Sequence, residues 1–149
     1  MSDLENKKWV YCGVFITPEL ADYLESTLKL NEIAPEGWKR YLHHMTLAFN
    51  EKTGGSQYIF DSYKDRFGRT VPMVVDSIGV SDKAIAIGIK YKGGECQNDR
   101  PHITAYVSPN GKPVDSNKIK VWNKVEGHPI RFFGKIGYFD GQKVVFENE

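Results

Sequence analysis

The sequence predicts an α+β fold with helices outside a mostly antiparallel sheet. Three observations predict it. Several short stretches alternate apolar and polar residues with period two, two others carry apolar residues at helical spacing, and compact turn signals join neighbouring strands into hairpins. No composition shift or linker divides the 149 residues, so one domain spanning 1–149 is expected.

The first strand is residues 9–16, WVYCGVFI, rich in β-branched and aromatic types. It stops at Thr17-Pro18-Glu19, where Thr17 fits an N-cap and Pro18 the first helical position. Leu20, Tyr23, Leu24, Leu28 and Leu30 then recur at helical spacing. Residues 35–40 contain Pro-Glu-Gly and read as a connection to a second strand over 41–50. Gly54-Gly55 breaks the chain. Ile59 or Phe60, Tyr63 and Phe67 place a second helix over 56–67, with Gly68 where a C-terminal cap belongs. Residues 71–80 and 84–91 flank Ser81-Asp82-Lys83 as a hairpin, with Ile85, Ile87 and Ile89 alternating to one face. A polar loop over 92–100 leads into the strand HITAYVS, which Pro109-Asn110-Gly111 turns. Ser116-Asn117 precedes a short helical stretch holding Ile119 and Trp122, and Asp140-Gly141-Gln142 closes a last hairpin between 129–139 and 143–147.

Composition narrows the function. With 40% hydrophobic and 26% charged residues the chain can build a core under a soluble surface, and a net charge of +1 argues against a bulk grip on long nucleic acid. A small anionic ligand needs only a local site. No apolar run approaches the roughly 18 residues of a membrane helix. The N-terminal MSDLENKK leads into a run too short for a signal peptide, and Cys12 and Cys96 are isolated from each other, so a reduced, cytoplasmic protein is expected.

The chemistry rests on a repeated pattern. His44-Met45-Thr46 and His102-Ile103-Thr104 each place His-x-Thr within an apolar strand, and strand alternation puts the histidine and threonine of each motif on one side. One such match usually marks a solvated edge; two in opposite halves of a small domain point to a site. A pair of imidazoles facing one cleft suits phosphodiester cleavage without a metal, because a pKa near 6.5 lets one ring serve as base and the other as acid. The threonine hydroxyls can donate to phosphate oxygens. The same alternation assigns His43 to the opposite face, beside Met45, as a core-edge or supporting residue. With His43 and His44 facing apart, and no His-Glu-x-x-His or paired Cys-x-x-Cys, neither a metal nor another cofactor is expected.

Two His-x-Thr motifs on strands in opposite halves of a small α+β chain resemble the 2H phosphoesterase superfamily. Residues 101–122, PHITAYVSPNGKPVDSNKIKVW, look most like the second-motif region of the cyclic phosphodiesterase domain of fungal tRNA ligases and vertebrate 2',3'-cyclic-nucleotide 3'-phosphodiesterase. The resemblance implies a bilobal fold: two antiparallel sheets related by a pseudo-twofold axis around a central cleft, with helices outside. It implies His44, Thr46, His102 and Thr104 as catalytic residues, with His44 as acid and His102 as base; the near-symmetry of the motifs leaves the reverse open. The implied reaction is hydrolysis of a 2',3'-cyclic phosphate on a nucleotide or RNA end to a 2'-phosphate, an RNA-processing activity. The resemblance also admits a viral-type enzyme that degrades cyclic oligonucleotide or 2',5'-oligoadenylate messengers. A module that binds nucleotides without cleaving them is the reading from outside enzymology.

Substrate contacts are less marked. Tyr106 continues the face of His102 and Thr104, and Tyr11 shares a strand face with Trp9, Gly13 and Phe15; either tyrosine can stack on a base. Trp9 and Phe15 are better assigned to core packing. Arg40 and Arg100 precede the two motifs and can grip an anion. Lys112 and Ser116 can reach a second phosphate, although turn and cap duty is the better assignment for Ser116. The expected partner is a small nucleotide or RNA 3'-end, with no membrane and no long double-stranded nucleic acid, and a monomer is favoured.

Overall fold

The computed structural model describes residues 8–51 and 53–147. Expectations about the extreme N-terminus fall outside them. The described chain is α+β and dominated by sheet: β1 (Tyr11–Phe15), α1 (Pro18–Leu28), α2 (Leu30–Ile33), β2 (Lys39–Arg40), β3 (His44–Phe49), α3 (Gln57–Ser62), β4 (Thr70–Val80), β5 (Ala84–Lys90), β6 (His102–Val107), a 3₁₀ turn (Pro113–Lys118), β7 (Val121–Lys124), β8 (Ile130–Phe139) and β9 (Val144–Val145).

The strands form one sheet in the order β7-β4-β5-β6-β3-β1-β8-β9, and a further β4–β8 ladder closes six of them into an antiparallel barrel. The expectation of two separate sheets is therefore replaced by a continuous one. Closure comes from two long, bent strands. The first half of β4 pairs β8 and its second half pairs β5 and β7, with a register shift between Val75 and Ser77; β8 passes from β4 to β1 at Lys135. A bulge of this kind lets a strand turn a barrel corner. The ladder is thinnest between the two motif strands, where Met45↔Ile103 is the single registered pair between β3 and β6.

Alternation sorts the side chains. Cys12, Val14, Met45, Leu47, Ile87, Ile103, Ala105 and Ile136 are buried in the core, whereas His44 and Thr46 on β3 alternate with them and face outward. Thr17 caps α1 as expected, accepting from the Leu20 N–H at 3.1 Å. Its inner face buries Ala21 and Leu24, while Tyr23 stays exposed. The second helix is shorter than its periodicity implies, since α3 ends at Ser62 and turns carry the chain to Gly68 at φ 90°; Ile59, Phe60, Tyr63 and Phe67 are nonetheless buried. The helical stretch expected around Ile119 and Trp122 is instead the strand β7, preceded by the 3₁₀ turn. Ile119 packs on Ala84 and Ala86, and Trp122 crosses the β4–β5 hairpin. A spacing of three residues fits a helix, but edge pairing to β4 decides the outcome.

Candidate active site

The outer face of β1, β3 and β6 forms the floor of a cavity of about 370 Å3. His44 and Thr46 of β3 and His102 and Thr104 of β6 all line it. Their adjacency follows from topology: β3 and β6 are neighbours, and the Met45↔Ile103 register pair sets the two motifs side by side. Tyr11 lies in the wall, its ring stacked on His44 at 4.5 Å between centroids and 21° between planes. Burial pushes its phenol up to about 12, so it is a neutral surface at ordinary pH.

Each imidazole is held at both nitrogens. His44 Nε2 is 3.1 Å from Thr46 Oγ1, and its Nδ1 is 2.9 Å from His43 Nδ1. One proton lies between those Nδ1 atoms, so one ring donates and the other accepts. His102 Nδ1–H donates to the Arg100 carbonyl at 2.8 Å, which directs Nε2 inward to Ser116 Oγ at 3.0 Å. Ser116 Oγ is also 2.8 Å from Thr104 Oγ1 and 2.8 Å from the Pro113 carbonyl. With Nδ1–H on the Arg100 carbonyl, Nε2 of neutral His102 is an acceptor, so the one Ser116 proton goes either to Nε2 or to the Pro113 carbonyl while Thr104 can donate to the Ser116 oxygen.

Two assignments change. His43 does not face the Met45 side. Leu42 adopts φ 46° and is buried, and β3 begins only at His44, so alternation does not extend back to His43. The exposed His43 ring swings to the site, meeting Phe15 edge-on at 5.4 Å and lining the cavity. Ser116 is more than a turn residue, since its hydroxyl lies within hydrogen-bond distance of His102 and Thr104 as well as of the Pro113 carbonyl in the 3₁₀ turn. The HH doublet drew attention to His43, and Ser116 is offered by the sequence as a reach toward a second phosphate or, better, as a turn and cap residue, with no spacing that ties it to His102. Asn98 and Asn117, which also line the cavity, were unmarked.

The expected substrate contacts divide. Tyr11 is at the site. Tyr106 is not: it is buried with its hydroxyl donating to Glu25 of α1. Arg40 is paired with Asp22 at 2.7 Å and Glu25 at 3.2 Å, away from the cavity. Arg100 lies behind His102 with its guanidinium over Trp122, and Lys112 lies outside the cavity wall, its backbone N–H donating to Asp115.

Burial is the leading influence on all three imidazoles. It pulls His44 down to about 3, helped by the proximity of His43 and His102, and also lowers His43. His102 is lowered by burial too, opposed by hydrogen bonds to Arg100 and Asn117. Both motif rings are therefore neutral at pH 7, and an anionic ligand between them favours protonation of one. Among the described residues no three His, Cys, Asp or Glu side chains converge to hold a metal ion, and Cys12 and Cys96 are free thiols. No helix of the described chain is long and apolar enough to cross a membrane. No family model matches the chain, and no curated protein matches it.

Proposed function

We propose that the chain is a metal-independent phosphodiesterase of the 2H type that opens a 2',3'-cyclic phosphate on a nucleotide or RNA end, leaving a 2'-phosphate. The observation that carries this reading is the meeting of two His-x-Thr motifs, from neighbouring strands, on one cavity. A phosphate seated between the rings brings the negative charge that offsets their burial and protonates one of them. His102, with Nδ1–H fixed on the Arg100 carbonyl, presents Nε2 as the base that takes a proton from water. The water oxygen bonds to phosphorus, the bond from phosphorus to the 3'-oxygen breaks, and His44 as imidazolium gives its proton to that oxygen. In that state His44 Nδ1–H donates to a neutral His43, which steadies the acid. Thr46 and Thr104 hydroxyls donate to the non-bridging oxygens. Tyr11 offers a face for the sugar or base. Cytoplasmic RNA-end processing is the setting that fits this reaction.

A non-catalytic nucleotide-binding module is favoured by one feature, the engagement of His102 Nε2 by Ser116. Product analysis separates the two. Incubation with a 2',3'-cyclic mononucleotide in excess EDTA is expected to yield the 2'-monophosphate; a 3'-phosphate product rejects the regiochemistry, and binding without turnover supports the module.

A further inference from the structure

His102 stands between two hollows. One is the cavity; the other is a neighbouring cleft bounded by Asn98, Arg100, Ser116, Asn117 and Trp122. That cleft continues past Arg100 and Trp122 to Lys90 and Lys124. Trp122 is fixed in place: a Cβ on Gly79 would stand 2.6 Å from its ring and one on Gly88 3.3 Å away, and its Nε1–H donates to the Ile119 carbonyl at 3.1 Å. Its ring centroid is 6.0 Å from that of His102. The Arg100 guanidinium carbon lies over the ring, 4.9 Å from its centroid. This cation–π contact restrains the guanidinium beside the cleft, where its N–H groups can meet an anion. Arg100, Lys90 and Lys124 make no ion pair among the described residues. The carboxylates along the strip are Asp76 and Asp99, and Asp76 accepts the Ser77 hydroxyl at 2.7 Å. Three cations against two carboxylates give a local positive strip on a chain whose overall charge is +1.

We infer that this strip, running from His102 along Arg100 and Trp122 to Lys90 and Lys124, is a second binding site that holds the upstream phosphates of a single-stranded oligonucleotide whose 3'-end occupies the cavity. The inference rests on the phosphodiesterase reading for the placement of that 3'-end. An alternating array of phosphates is the ligand class that matches spaced, unpaired cations leading away from a phosphate-cleaving site. It makes the preferred substrate an oligonucleotide end rather than a free mononucleotide.

The test is fluorescence anisotropy of the full chain with labelled mono-, di- and tetrauridylates ending in a 3'-phosphate, which the proposed reaction leaves uncut. Affinity is expected to rise with length. Arg100→Ala is expected to remove roughly tenfold of the tetranucleotide affinity. The exposed pair Lys90→Ala/Lys124→Ala is expected to remove the length gain and flatten the salt slope by about 0.7 per cation lost. Equal affinity at every length, or a length gain that survives both sets of substitutions, overturns the strip. The two readings separate cleanly. A length gain in a protein that cuts no cyclic phosphate supports the strip and rejects the phosphodiesterase, whereas cleavage of a cyclic mononucleotide without any length gain does the reverse.

Discussion

Ser116 and His43 decide how the two motif histidines are held. Ser116 Oγ is a shared partner of His102 Nε2 and Thr104 Oγ1 in a nearly water-free setting. Ser116→Ala leaves those atoms without it, and an unsatisfied buried polar group costs about 1–3 kcal/mol. Urea unfolding is expected to show a loss of that size; no loss places the bridge among dispensable contacts. Both His-x-Thr pairs were legible in sequence because a motif confined to one strand needs only period-two alternation. His43 was misplaced by the same rule, since one residue in the left-handed region, Leu42, ends the alternation a position early. The contact of Ser116 with the second motif was hidden because its partners lie 12 and 14 residues away and meet it only through the returning turn.

Glycines set the approach of whole strands around the site. A Cβ on Gly13 would stand 2.7 Å from the Met45 carbonyl and 3.5 Å from the His44 ring. Gly13→Ala must therefore push β1 from β3 next to the register shift between Cys12 and Gly13. Overpacking of this kind costs about 1–3 kcal/mol. The expected result is a lower urea midpoint together with reduced turnover of a cyclic nucleotide. Full stability with full turnover contradicts the close β1–β3 fit. At this scale the strands and the capped α1 were readable from periodicity and Thr17-Pro18. The strand β7 was not, because Ile119 and Trp122 find their partners, Ala84, Ala86 and the glycines of the β4–β5 hairpin, outside their own segment. Tyr106 was lost to the site for a related reason: a shift in the β5–β6 register between Ile85 and Ala86 accompanies its turn toward Glu25 of α1.

For the whole molecule, the pairing of β3 with β6 turns two distant motifs into one site, and Tyr11 of β1 and the 3₁₀ turn cover their rings. Local signals predicted the hairpins but not the β4–β8 ladder that closes the ring, since that pairing joins segments far apart in sequence. Burial of the rings also makes stability depend on pH. The unfolded histidines protonate near 6.5, while folded His44 resists protonation until about 3 and folded His102 is also depressed. Above 6.5 both states are neutral and nothing is lost. As pH falls below it the unfolded chain takes protons that the folded chain refuses, so stability drops by up to about 1.4 kcal/mol per pH unit for His44 alone. Unfolding free energies at pH 7 and pH 5 are expected to show this drop, smaller in His44→Asn; a flat profile contradicts the burial of the ring.

In the proposed reaction His44 and His102 act as one acid–base pair on one phosphate. Its most direct test is the rate of 2',3'-cyclic nucleotide hydrolysis in EDTA by the full chain, by His44→Ala and by His102→Ala. Each substitution is expected to cost at least about 10²-fold while the circular dichroism of the fold persists. Full activity in either folded variant contradicts that pairing.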